Sequence, residues 1–139
     1  MEQQLSFAIE LRAPYEKAIE MATDALKVEG FGVLTKIDVK ATLQEKIGED
    51  FRPYIILGAC NPHLAHRALS RHGEVGVMLP CNVTVEATES GGSLVRVVNP
   101  GEMLTMGEFG DDPAMKEVAA EANERLRRVV TALIDQNND

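Results

Sequence analysis

Two thiols are the residues in this chain best suited to chemistry, and each stands in the same context of an apolar run, a cysteine and an asparagine. The first is Cys60 in Tyr54-Ile55-Ile56-Leu57-Gly58-Ala59-Cys60-Asn61-Pro62-His63, and the second is Cys81 in Leu79-Pro80-Cys81-Asn82. A cysteine just ahead of a helix N-terminus lies in partial positive charge that favours the thiolate, its reactive form. Packing supplies a simpler reading, because a free cysteine behaves as a small hydrophobe and is among the most buried residue types. The two are far apart in the chain and do not form a CxxC pair, which disfavours a thioredoxin-like role. A disulfide between them needs Cα atoms within about 7 Å.

Histidines and methionines widen the options. His63 and His66 fall about one helical turn apart, and with Cys60 and Cys81 they could form a zinc or copper site of two sulfurs and one or two nitrogens. Structural zinc usually shows closely spaced ligand pairs, and His63, His66 and His72 on a short amphipathic helix more often face solvent. Met103 and Met106 would suit a soft ion, although thioethers in a connecting segment are more often packing or interface residues. Asn61 and Asn82 have structural duties open to them, as a helix cap and as a turn or bulge partner. Glu45, Glu49 and Asp50 read as a solvated turn. No P-loop, nucleophile elbow, HExxH or GxGxxG pattern occurs.

The elements that must position these residues follow from periodicity and punctuation. Leu5, Phe7, Ile9 and Leu11 alternate with polar neighbours, which predicts a strand over about residues 5 to 12. Pro14 opens and Gly30 closes a helix whose stripe is Ala18, Ile19, Ala22, Ala25 and Leu26. A second alternation, Phe31 to Val39, predicts a strand with one face on the core, and Ala41 to Ile47 a two-turn helix. Tyr54 to Leu57 is apolar without alternation, as in an interior strand covered on both faces. Asn61 then caps, and Pro62 begins, a helix over 62 to 72 with Leu64, Ala65, Ala68 and Leu69 inward.

Gly76 to Pro80 reads as a short extended piece, with Pro80 at a bulge or an edge. Val83, Val85 and Ala87 form the next strand, with Cys81 sharing the core-facing parity of the valines. Ser90-Gly91-Gly92 turns the chain into a paired antiparallel strand, Leu94 to Val98. About a dozen residues after Asn99-Pro100-Gly101 carry Met103, Leu104 and Met106 before Asp112-Pro113 starts a helix that reaches about Gln136, leaving Asn137-Asn138-Asp139 as a frayed tail. Long connections of this kind are often lids or partner-contacting arms. The expected architecture is a single α+β domain, 1–139, in two layers: a mixed β-sheet packed against helices, with a long C-terminal helix.

At 139 residues the chain can bury a sizeable core, and a net charge of −8 repels phosphate backbones and anionic headgroups, so no nucleic acid and no membrane partner is expected. Arg125, Arg127 and Arg128 stand among Glu117, Glu121 and Glu124, which reads as a mixed solvated face. No run approaches the ~18 apolar residues that span a bilayer. Met1-Glu2-Gln3-Gln4 lacks the basic start of a signal peptide. The expected location is cytoplasmic, where cysteines stay thiols.

Three strings, Gly30-Phe31-Gly32-Val33, Phe51-Arg52-Pro53-Tyr54 continuing through Cys60-Asn61-Pro62, and Leu79-Pro80-Cys81-Asn82-Val83, resemble the domain of unknown function 302 family over nearly the whole chain. The resemblance implies a compact α+β domain that tends to form a homodimer in bacterial or archaeal cytosol, and it implies no particular activity. The working expectation is a small dimeric protein binding a small ligand, thiophilic species or soft metal around Cys60, Asn61, His63, Cys81 and Asn82, roofed by residues 100 to 110 with Met103 and Met106. The alternative is a non-catalytic homodimeric interaction module with structural cysteines. A thiol-dependent enzyme is a third.

Overall fold

The computed structural model describes residues 4–138. In chain order come β1 (Ser6–Leu11), α1 (Tyr15–Val28), β2 (Gly32–Asp38), α2 (Val39–Ile47), β3 (Tyr54–Cys60), α3 (Pro62–Arg71), β4 (Cys81–Ala87), β5 (Ser93–Val98), α4 (Pro100–Met103) and α5 (Pro113–Asn137). Short 3-10 helices occupy Gly73–Met78 and Gly107–Asp111. Three helices begin with a side-chain acceptor followed by proline, whose missing N–H is harmless in the first turn. Asn61, Asn99 and Asp112 accept from the backbone N–H groups of Leu64 (3.2 Å), Gly101 (3.1 Å) and Ala114 (2.9 Å).

The strands form one five-stranded sheet in the order β1-β5-β4-β3-β2. Every pairing is antiparallel, which corrects the expected mixed sheet while keeping the α+β class. The reason is the reach of α1. It carries the chain from β1 to β2, which run the same way but end up on opposite edges with three strands between them. The strand from Tyr54 is interior as expected, between β4 and β2.

One face of the sheet is dry. Ile9, Leu11, Val83, Val85, Val95, Val97, Leu57 and Ala59 are buried there beneath the apolar stripes of the helices. The main cover is α5, which buries Met115, Val118, Ala119, Ala122, Leu126, Val129 and Leu133 at steps of one, three and four residues, the repeat of a single helical face. Each fully buried Leu, Val or Met of this kind contributes about 1.5–3 kcal/mol relative to exposure. The far end of α5 is also held, since Asn137 Oδ1 accepts from the Arg12 backbone N–H at 2.8 Å, so the predicted fraying does not begin at Asn137; Asp139 lies outside the described residues.

Four local expectations change. β2 is an edge strand with only Val33 packed toward the core, while Leu34 and Ile37 are 70% and 47% exposed, because it lies at the edge of the sheet and the following α2 buries no residue. On its core side β3 buries Leu57 and Ala59 but leaves Ile55 half-buried, and Tyr54 and Ile56 on its other side are half-buried as well. Residues 73–78 coil as a 3-10 helix instead of extending, and the β-structure starts only at Cys81. Glu86, which alternates with the valines of β4 on a face expected to be partly solvated, is buried because Arg52 and Arg96 both close over its carboxylate, an arrangement that outweighs burial and holds its pKa down.

Two contacts set the shape of the end of the sheet at β3 and β4. Gly58 pairs with Asn82 and lies beneath Thr35 and Pro80: a Cβ there would stand 2.2 Å from Thr35 Oγ1 and 2.8 Å from Pro80 Cγ. Only glycine lets β2 and the β4 entrance close over β3 at this point. On the helical side, Asp112 ties the end of α3 to the start of α5. Its carboxylate accepts from Arg71 Nε and Nη2, both at 3.1 Å, and lies 2.8 Å from His72 Nε2.

The Arg71 and His72 hydrogen bonds hold the Asp112 carboxyl down at about 2, below the ordinary aspartate value of about 3.9. A depressed carboxylate contributes stability that is complete above the unfolded value and is lost as pH falls through the folded one. Thermal melts should therefore show stability falling from about pH 4 toward about pH 2, with a shallower fall in Asp112→Asn. Identical acid limbs in the two proteins would show that this clamp does not couple to folding.

Candidate functional site

The register of β3 against β4 decides how the two thiols meet. Ala59, not Cys60, stands directly opposite Cys81, so Cys60 is offset by one residue at the end of β3 and has the parity of Ile56, not of Ala59. Both are free thiols. Cys60 ends β3 and is half-buried; Cys81 begins β4 on the dry face, as its parity with Val83 and Val85 required, and is 7% exposed.

Both line one cavity of about 30 Å³ at this end of the sheet. Ala59, Leu79 and Pro80 complete the strand side, Leu64, Ala65 and Ala68 form the α3 wall, and Val118 and Ala122 form the α5 wall. Phe31 closes the end toward β2, and Leu104 comes from the strap between β5 and α5. Nearly all of this lining is apolar. The space is about that of one water molecule in the liquid, far below the roughly 300–1,000 Å³ of an organic ligand site.

The predicted site residues separate into those the fold gathers and those it scatters. Cys60, Asn61 and Cys81 line the cavity. Asn61 is also structural: it caps α3, and its Nδ2 lies 3.5 Å from the Glu29 carbonyl. His63 is exposed and Asn82 is exposed on the open side of β4, and neither lines the cavity. Met103 packs against the core beside the strap, whereas Met106 is 62% exposed and belongs to a surface groove with Val77, Met78 and Phe109. The thioethers do not roof the thiols; Leu104 does.

His66 is likewise exposed on α3 outside the cavity, so the two-sulfur, two-nitrogen zinc set is not assembled. Among the described residues no three His, Cys, Asp or Glu side chains come together to hold a metal ion. Periodicity alone did not single out Leu104, Val118 and Ala122 as site residues, because each reads as ordinary core and only tertiary packing points them at Cys81.

The family model described as Domain of unknown function DUF302 matches residues 7–133. The chain belongs to this family. A crystal structure of an uncharacterized conserved DUF302 protein from Bacillus stearothermophilus is similar to it at 31% identity and a TM-score of 0.81, covering 94% of this chain and 99% of that one. Comparison with curated proteins finds no match. Among the described residues of this DUF302 chain, no helix is long and apolar enough to cross a membrane.

Electrostatics distinguish the thiols of the DUF302 site. Burial, reinforced by neighbouring Cys60, pushes the Cys81 thiol up to about 11, so at neutral pH it is protonated. The folded state holds that proton more tightly than the unfolded chain, whose thiol titrates near 8.5. Stability from the neutral thiol is complete below about 8.5 and declines as pH rises toward about 11. In a Cys60→Ser background the ultraviolet thiolate signal of Cys81 should appear only near pH 11, and Cys81→Ala should flatten the alkaline fall in stability. A Cys81 thiolate signal near pH 8.5 would contradict its burial.

Proposed function

We propose that this DUF302 chain binds a single soft, thiophilic species between Cys60 and Cys81, with a monovalent soft metal ion as the fitting occupant. The observation that carries the reading is that both cysteines line one apolar cavity of about 30 Å³, room for one ion and not for an organic metabolite. Thiolate ligands select soft ions, and an apolar shell keeps competing water away. On binding, each thiol exchanges its proton for a sulfur–metal bond, so one ion releases two protons and the bis-thiolate complex carries one negative charge. The N-terminus of α3 and the Arg125 guanidinium, which donates to the Glu29 carbonyl at 3.3 Å, stand at the same corner to offset that charge. The reading places the protein in a reducing compartment, where both thiols stay free.

Titration of the reduced protein with silver(I) should give one tightly bound ion per chain, with two protons released at neutral pH. Cys60→Ser and Cys81→Ser should each weaken binding by about a hundredfold or more, of the order seen when a metal site loses a supporting group. Undiminished affinity in the double variant would sink the proposal.

A second reading, a non-catalytic homodimeric interaction module, is supported by a different observation. The β2–α2 segment buries almost nothing: Leu34, Ile37 and Ile47 are 70%, 47% and 65% exposed, and α2 has no buried residue. Under this reading Leu34→Ser with Ile37→Ser lowers the sedimentation-equilibrium mass from dimer to monomer. A wild-type protein that sediments as a monomer at high concentration would remove it.

A further inference from the structure

The structure assigns Leu104 as the residue that determines which thiophiles reach Cys81. Most other walls of the thiol cavity belong to the sheet, α3 and α5. Phe31, Asn61, Leu79 and Pro80 come from short connections beside strands, whereas Leu104 comes from the long strap from Asn99 to Asp112, and it is 3% exposed while Met106, two residues on, is 62% exposed. The strap thus turns from core to solvent directly after this side chain.

Its construction holds that side chain in the cavity wall. One end is pinned by Asn99, whose Nδ2 donates to the Gln4 carbonyl at 3.0 Å and whose Oδ1 accepts from Asn123 Nδ2 at 2.7 Å. The other end is pinned by Asp112 through Arg71 and His72. Between the pins, Gly110 packs onto the Thr105 carbonyl so closely that a Cβ would stand 2.5 Å from its oxygen, and Gly107 takes a φ of 54°. Thr105 Oγ1 donates to the Gly101 carbonyl and Phe109 is buried in the core, so residues 105–110 are held as a compact loop that keeps Leu104 in place.

A leucine cannot ligate, so its contribution is steric. A bare ion passes with a small side-chain displacement, whereas a bulky aromatic disulfide requires the strap to swing away. Cys60 is half-buried and Cys81 is 7% exposed, and both share the cavity lining with Leu104. This assignment rests on the soft-ion reading for the identity of the natural visitor. The covering role is measured without any metal.

The experiment follows the labelling rate of Cys81 in the full chain carrying Cys60→Ser, using methylmercury as the small probe and an aromatic disulfide as the large one. The parent should react with methylmercury and resist the disulfide. Leu104→Ala should raise the disulfide rate by about tenfold or more, the effect of removing ~1.4 kcal/mol of barrier, and Leu104→Phe should lower both rates. Leu64→Ala removes the same atoms from the fixed α3 wall of the same cavity and controls for general loosening. Acceleration confined to Leu104→Ala, and insensitive to low denaturant, supports the assignment; equal acceleration in Leu64→Ala, or none in Leu104→Ala, overturns it. Failure of silver(I) to bind the wild type would remove the soft-ion reading and leave these rates as they are, so the two failures are distinguishable.

Discussion

The dry face of a five-stranded antiparallel sheet must be covered, and the long stripe of α5 does most of the covering. That burial fixes where α5 lies, and with it the helical walls against which α1 and α3 pack. The opposite face carries Glu86 clamped by Arg52 and Arg96, together with half-buried Tyr54 and Ile56. Such a sheet has ends where strands, helix starts and connections converge without the density of the interior. The thiol cavity forms at such an end, where β3 stops, β4 begins and the strap returns.

Chemistry at that end follows from conflict between packing and polarity. Asn61 meets its polar needs by capping α3 and reaching Glu29, so it is spent on structure. Cys81 has no such outlet, and burial keeps it protonated until strongly alkaline pH. A neutral thiol in an apolar cavity is stable by itself, yet it becomes a ligand as soon as a soft cation offers a stronger bond than the proton. Under the soft-ion proposal, the same burial that stabilises the fold raises the threshold for binding and favours the softest partners.

The strap shows how much depended on long-range contacts. Asp112-Pro113 is visible in the chain as a helix-start signal and its cap forms, whereas Asn99-Pro100, read as a break after the strand, turns out to cap the short α4. Nothing local indicates that Arg71 and His72 at the end of α3 would clasp Asp112, or that Asn123 in α5 would hold Asn99. The methionines drew attention because of their soft sulfur, but side-chain direction within a short connection is set by what it packs against. Leu104 won the inward position, and Met106 was left to solvent.

By itself the sequence determined the α+β class, the run of strands and helices, the core parity of Cys81, the caps at Asn61 and Asp112, and the family resemblance, because periodicity, proline and capping act over a few residues. It also showed that β3 would be interior, since an apolar run without alternation suits a strand between neighbours. Only the tertiary structure decided that the sheet is wholly antiparallel, that β2 lies exposed at an edge, and that Ala59 rather than Cys60 faces Cys81. Those outcomes depend on which strands become neighbours, and that is set by how the helical stripes pack over one shared face, a property of the whole chain that no local pattern carries.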